Sequence, residues 1–378
     1  MASDKKTIAI VCDKNPHTSF GRMALDFHRV LACEFNVHVI WLKTPKYFPG
    51  DYGMSADNRH SDPSTKNFHS ICAPSLEAGW LMFRRPLRRL LREIGPGCVL
   101  MIRPELGFLV RVVHKTLPGA WAGVVVHDMF AETLYSRSLK FRLINRFFIA
   151  PAREADGFIY NSEYTRAQAA RVMGLAPDGP VIGCPVDRAA FRPPAEGKAA
   201  LRKKWGLDGY RGVCLNISLD EPRKNIPTYF ALAAARPDVA FVRVGPFSPW
   251  MRKWIDGHRA GNIIHYSGIP QEGLVELYNC ADLFVYPSLL EGFGMPPLEA
   301  LACGTPAVAA LTSALKENLE GVVPLIDPPE RVDGYIEVID AVLSGKDVVD
   351  RAAAEKLLAR FSIEAFGERA RACFRGRE

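Results

Sequence analysis

The 378-residue sequence has no apolar run of the roughly 18–20 residues that a bilayer-spanning helix requires, so nothing in it reads as a membrane span. The first six residues lead straight into Thr7-Ile-Ala-Ile-Val-Cys12, which reads as a first strand and not as a secretory signal. Nine cysteines, an odd number, form no Cys-x-x-Cys pair. They give no disulfide framework and no zinc site, and reduced thiols of a cytoplasmic protein are expected. Where a dinucleotide-binding strand would be followed by Gly-x-Gly-x-x-Gly, the chain has Asn15-Pro-His-Thr-Ser-Phe-Gly21, which weighs against a nicotinamide-dependent oxidoreductase. There is no Asp-x-Asp pair, no low-complexity tract and no short repeat.

What is present describes an ordinary globular protein, 48% apolar and 24% charged, long enough for two domains. Its charge is uneven. Lys and Arg outnumber Asp and Glu by 24 to 16 up to residue 185, and fall just short, 24 to 25, beyond it. A basic half beside a neutral one points to a nucleic acid, to a membrane surface or simply to a solvated face. Short β-branched runs recur with helical patterns between them. In the first half they are Thr7–Cys12, Val37–Leu42, Cys98–Arg103, Gly123–Asp128 and Gly157–Asn161. In the second they are Gly212–Ser218, Val239–Gly245, Asn262–Ser267, Asp282–Pro287, Pro306–Ala310 and Val322–Ile326. Most are apolar throughout, as strands covered on both faces should be. Helices between them imply parallel sheets with right-handed crossovers. The series pauses at the proline-rich stretch from Cys184 to Pro194. The expected organisation is an N-terminal Rossmann-like domain over 1–183, a linker over 184–200 and a C-terminal Rossmann-like domain over 201–362. A last helix, within 363–378, is expected to cross back to the first domain. Tyr47–Asn67, rich in Pro, Gly, Asp and Ser, reads as a loop of the first domain.

The most informative string is Glu291-Gly-Phe-Gly-Met-Pro-Pro-Leu-Glu299. A strand precedes it, and a short helix stopped by Gly304 follows. Turn amides and a helix N-terminus suit an anion. Two carboxylates in the same place suit hydroxyl donors, and a sugar nucleotide offers both. The string resembles the Glu-x7-Glu signature of the retaining glycosyltransferases of family 4, at Glu291, Gly292, Phe293, Gly294, Pro296, Glu299 and Ala300, and the likeness continues through Gly304-Thr-Pro306. The resemblance implies the α/β GT-B fold, with two doubly wound domains facing across a cleft. It implies that Glu291 binds hydroxyls of the transferred sugar and Glu299 those of the ribose. Amides around Gly292, Phe293, Gly294 and Met295 would hold sugar and phosphates.

The same resemblance gives Lys224 the task of neutralising the diphosphate leaving group. The family arginine expected six residues earlier is Ser218 in this chain, so Arg223 or a basic residue from elsewhere would supply the second charge. His127, at the end of a strand, is implied to lie near the transferred sugar. Gly21 is placed near the phosphates, and Gly268-Ile269-Pro270 beside the nucleobase. Ser162 reads as a helix cap. Arg84, Arg85, Arg88, Arg89 and Arg92 interleave with leucines at helical spacing behind Trp80–Phe83. This basic amphipathic helix fits either an anionic bilayer or an ordinary wet surface. The expectation is a metal-independent hexosyltransferase without cofactor. Its donor is a nucleotide diphosphate sugar, GDP-mannose favoured, and its acceptor a lipid-linked or polysaccharide precursor glycan; nucleic acid is not expected as a partner. The protein would be cytoplasmic, peripheral on the inner face of the cell membrane. A UDP-sugar-dependent hexosyl or N-acetylhexosaminyl transferase and a non-catalytic sugar-nucleotide binder stay open.

Overall fold

The computed structural model describes residues 5–16, 18–45, 67–73, 82–129, 145–175, 178–194, 197–258 and 260–377. The loop expected over 47–67 lies, apart from Asn67, outside them, as do Trp80 and Leu81. Contacts divide the chain into two compact units, Met1–Pro185 with Ile363–Glu378, and Val186–Ser362.

The first unit is built on one parallel sheet in the order β3-β2-β1-β4-β5-β6. The strands are β1 Thr7–Cys12, β2 Asn36–Lys43, β3 Phe68–Cys72, β4 Cys98–Met101, β5 Trp121–Val126 and β6 Gly157–Tyr160. Central strands such as β1 and β4 are apolar on both faces because helices cover both. The second unit repeats the plan with β12-β11-β10-β7-β8-β9. Its strands are β7 Gly212–Ile217, β8 Val239–Val244, β9 Ile263–Tyr266, β10 Leu283–Tyr286, β11 Ala307–Ala310 and β12 Leu325–Ile326. Both orders are the doubly wound 3-2-1-4-5-6, which reverses direction between β1 and β4 in one unit and between β7 and β10 in the other. Ligands of such sheets lie at the carboxyl ends of the strands that flank this reversal.

Among the described residues eleven strands stand where the apolar runs predict them, and the twelfth, β3, is the exception. It is an edge strand with one buried position, Ile71, so it carries no continuous apolar run. The helix Ser19–Leu31 begins at Thr18, whose hydroxyl accepts the Gly21 amide at 3.1 Å. Ser162 caps the helix Glu163–Met173 in the same way, accepting from the Thr165 amide.

The helix Ile363–Phe374 belongs to the first unit. Its buried residues Phe366, Gly367, Ala370, Cys373 and Phe374 fall on one face. That face lies against the helix Ser19–Leu31, with Phe366 edge-on to Phe27 at 5.2 Å and Arg371 donating to the Val30 carbonyl. The proline-rich stretch from Val186 onward, read as a linker, packs into the second unit because it carries two apolar anchors. Val186 donates its amide to the Phe361 carbonyl at 2.8 Å, and Phe191 is fixed edge-on to Tyr278.

Candidate functional site

In the second unit the loops after β7 and β10, the two strands at the reversal, carry the charged residues. Lys224 ends the single turn Pro222–Lys224 that follows β7. Asn225 next to it takes a left-handed φ of 52°, a conformation asparagine tolerates, and starts the helix Ile226–Ala235. Glu291 lies in the loop after β10. Both side chains are buried, and Lys224 Nζ donates to Glu291 Oε1 at 2.6 Å. Ser288 Oγ donates to the same oxygen at 2.6 Å, and Arg223 Nη1 donates to Oε2 at 3.2 Å. Lys224 also donates to the Tyr286 hydroxyl at 2.9 Å.

Burial alone would raise the Glu291 carboxyl, but Lys224 and then Arg223 outweigh it and hold the group below the usual carboxylate range. Burial pushes the Lys224 ammonium below its ordinary range, against the pull of the Glu291 carboxylate. An ammonium has three N–H donors, and Lys224 uses two on Glu291 and Tyr286. A carboxylate has about four lone-pair sites, and Glu291 uses three on Lys224, Ser288 and Arg223. The Tyr286 hydroxyl also bonds to Glu291 and takes up the fourth, while Lys224 keeps one donor for a ligand.

Arg223 is held inside this network. Its Nε donates to Glu221 at 2.6 Å and its Nη1 reaches both the Leu290 carbonyl and Glu291. It orients the carboxylate of Glu291. Ser218 at the end of β7 gives its hydroxyl to Asn216 Oδ1 at 2.8 Å.

Gly292 and Phe293 follow Glu291 as buried residues, and Phe293 is set edge-on to Phe361 at 4.9 Å. Gly294 has φ 91°, and a Cβ there would come within 2.5 Å of Leu315 Cδ2, so the turn requires glycine. Met295 opens the helix Met295–Ala302, whose first turn contains Pro296 and Pro297 and so lacks two N–H donors. Glu299 is buried on this helix and accepts the Tyr278 hydroxyl at 2.8 Å. Gly268 (φ 66°), Ile269 and Pro270 form the turn between β9 and the helix Gln271–Cys280.

Residues 197–358 match the family model described as glycosyl transferases group 1. The O-antigen chain mannosyltransferase B of Escherichia coli is 34% identical over 184 residues, which is 46% of this chain and 47% of that protein. A GDP-mannose-dependent alpha-(1-6)-phosphatidylinositol monomannoside mannosyltransferase of Mycolicibacterium smegmatis is 30% identical over 206 residues, 50% of this chain and 54% of that one. The chain thus spans about half the length of these curated relatives. Among solved structures, sucrose-phosphate synthase from Thermosynechococcus elongatus superposes with a TM-score of 0.79 at 18% identity, covering 98% of both chains. Anabaena HepE in complex with UDP and glucose does so at 0.75 and 15% identity, over 98% of this chain and 99% of that one. At such identities the likeness speaks for the fold, which is GT-B.

Lys224, Arg223, Glu291 and Glu299 all lie inside the matched residues 197–358, whereas His127 and Gly21 belong to the first unit. His127 is buried after β5, edge-on to Phe20 at 4.9 Å. Burial first, and the Arg103 charge with it, push its imidazole down to about 4 against a hydrogen bond to the Ile102 carbonyl. It is neutral at pH 7, and its Nε2 accepts no hydrogen bond among the described residues. Gly21 has a structural reason to be glycine, because a Cβ would stand 2.0 Å from the Asn15 carbonyl oxygen.

Sequence reasoning missed the charges beside His127. Asp13 follows β1 and is fully buried, 3.6 Å from Arg103, which in turn forms an ion pair with Glu105. Their signal was position alone, since both Asp13 and Arg103 follow the strands at the reversal of the first sheet. The helix Arg84–Ile94 buries Leu87 and Leu91, with Leu90 and Ile94 packed on the same core. Its apolar face is therefore used inside the unit, and Arg85, Arg89 and Arg92 are left exposed while Arg84 and Arg88 are half-buried. Among the described residues no helix is long and apolar enough to cross a membrane, and no cluster of His, Cys, Asp or Glu is placed to hold a metal ion.

Proposed function

We propose that the protein is a hexosyltransferase that moves a hexose, mannose from GDP-mannose in the first instance, from a nucleotide diphosphate sugar to an acceptor hydroxyl with retention of anomeric configuration. The observation that carries this reading is the buried Lys224–Glu291 pair at the carboxyl ends of β7 and β10. The remaining Lys224 donor neutralises the leaving diphosphate, and a hydroxyl of the sugar takes the place of the Tyr286 hydroxyl on Glu291. The bond from the anomeric carbon to the phosphate oxygen breaks, and a bond to the acceptor oxygen forms on the same face. The acceptor proton passes to the departing phosphate oxygen, so no carboxylate nucleophile is needed. Lys224 takes up the charge without a metal ion. Glu299 binds the ribose hydroxyls, and the turn Gly268–Pro270 borders the base. Neutral His127, with Nε2 open, accepts from a sugar or acceptor hydroxyl.

The names of two mannosyltransferases among the relatives support mannose, and one of those names specifies GDP-mannose. A thermal-shift panel of GDP- and UDP-sugars with NADH as control, followed by product analysis on lipid extracts, tests the reading. GDP-mannose is expected to raise Tm and to label a glycolipid or lipid-linked glycan. A panel in which no nucleotide sugar raises Tm removes the proposal.

The protein is also proposed to approach an anionic membrane by charge without inserting an apolar face. Each exposed arginine near such a surface is worth about 1 kcal/mol. Replacing Arg85, Arg89 and Arg92 together by Glu is expected to weaken sedimentation with phosphatidylserine vesicles by at least ~100-fold. Binding that survives this change, or that is insensitive to salt, speaks against the idea.

A further inference from the structure

Arg243 is the next-to-last residue of β8, whose other residues, Val239-Ala-Phe-Val242 and Val244, are all apolar. It is fully buried, and among the described residues it is the largest fully buried side chain. Its Nη1 donates to the Ser218 carbonyl at 3.1 Å and to the Val244 carbonyl at 2.9 Å. Its Nε and Nη2 have no hydrogen-bond partner among the described residues. Asp220 acts on it through space, but its carboxylate takes the indole N–H of Trp250 at 3.3 Å. A buried guanidinium with two nitrogens unpaired costs free energy that a strand position does not explain. An apolar residue would serve the strand better, and a bound anion would remove the cost.

Position gives the anion. The guanidinium sits at the carboxyl end of β8 on the carbonyl of Ser218, the first residue of the loop that bears Lys224. Gly245 leaves room for it, since a Cβ there would come within 2.7 Å of Nη1. The neighbouring helix Met295–Ala302 brings a first turn short of two N–H groups, and Arg223 is engaged by Glu221, Leu290 and Glu291. A second cation for a diphosphate is therefore not supplied by those elements.

We propose that Arg243 is the second phosphate-binding cation of the site, acting from the neighbouring strand with Lys224 on the diphosphate of the nucleotide. This rests on the donor reading above and assigns its second charge. The two unpaired nitrogens of the planar guanidinium donate to phosphate oxygens, while Nη1 keeps the root of the loop in place.

The test is calorimetric binding of GDP and UDP, each against its monophosphate, to the full chain and to Arg243→Met. A phosphate contact predicts that the variant loses roughly 10- to 100-fold in diphosphate affinity while monophosphate affinity changes far less. Arg243→Gln keeps a donor for the Ser218 carbonyl without the charge, and it gives the same reading where the Met variant does not fold. Ser218→Arg, added to either variant, is expected to restore the diphosphate preference. A folded Arg243 variant with the wild-type preference overturns the inference and leaves the donor reading intact. Equal losses for both nucleotides with a lower Tm mark a purely structural clamp and overturn it as well. Wild-type protein that binds neither nucleotide removes the donor reading itself, and the inference with it.

Discussion

Lys224→Ala is expected to reduce turnover by on the order of 10²–10³, the usual loss when one preorganised charge at a leaving group is removed. The same change is expected to cost stability, because it strips a buried carboxylate of its shortest cationic contact, at 2.6 Å. Removing one partner of a buried pair typically costs about 3–5 kcal/mol. Glu291 retains Arg223 and Ser288, so the lower end, about 3 kcal/mol, is expected here. The two effects separate in the double variant Lys224→Met with Glu291→Gln, which takes the charge from both sides at similar volume. Its stability in urea should return toward wild type while its turnover stays low. The measurement is a pair of denaturation curves with initial rates at saturating donor. A folded Lys224→Ala enzyme with near-normal rates would remove the mechanism.

That experiment turns on an ion pair whose residues, but not whose contact, are legible in the sequence. The strands were readable because helices cover both faces of each sheet, so β1, β4 and β10 present unbroken apolar runs. β3 escaped because an edge strand exposed to water needs no such run. Glu291 and Lys224 stand out by motif, yet the partners that hold them, Tyr286 and Ser288, are ordinary strand-end residues when read along the chain. They become informative only when β7 and β10 lie side by side. Arg223 looks like a loop arginine in sequence, whereas Glu221, Leu290 and Glu291 together fix it. Asp13 and Arg103 were hidden for the same reason: they meet through the pairing of β1 with β4, about ninety positions apart in sequence. Arg243 was masked by its own strand, since a pattern of apolar neighbours absorbs one charged residue without changing the assignment. Charge that is compensated across strands has no periodicity along the chain.

The pH dependence of stability should show the burial of His127. Its imidazole is pushed down to about 4, chiefly because burial disfavours the cation. In the unfolded chain the same group titrates near ~6.5. A folded value below the unfolded one means that the neutral form is favoured by folding. The associated stability is complete above the unfolded value and is lost as pH falls from about 6.5 toward 4. Integrated between pH 7 and pH 5, the loss is about 2 kcal/mol. His127→Gln has no titration in this window, so its stability should fall by about 2 kcal/mol less than that of wild type over the same interval. The half-buried histidines His28, His38 and His69 are also shifted down, but they titrate equally in both proteins and cancel in the difference. Urea unfolding of both proteins at pH 7 and pH 5 supplies the numbers, and parallel losses would contradict the burial argument. The same reasoning reaches the rate. An imidazole already neutral at pH 5.5 accepts a hydroxyl proton contact equally well at pH 8, so the wild-type profile should lack a step between these values that the Gln variant removes.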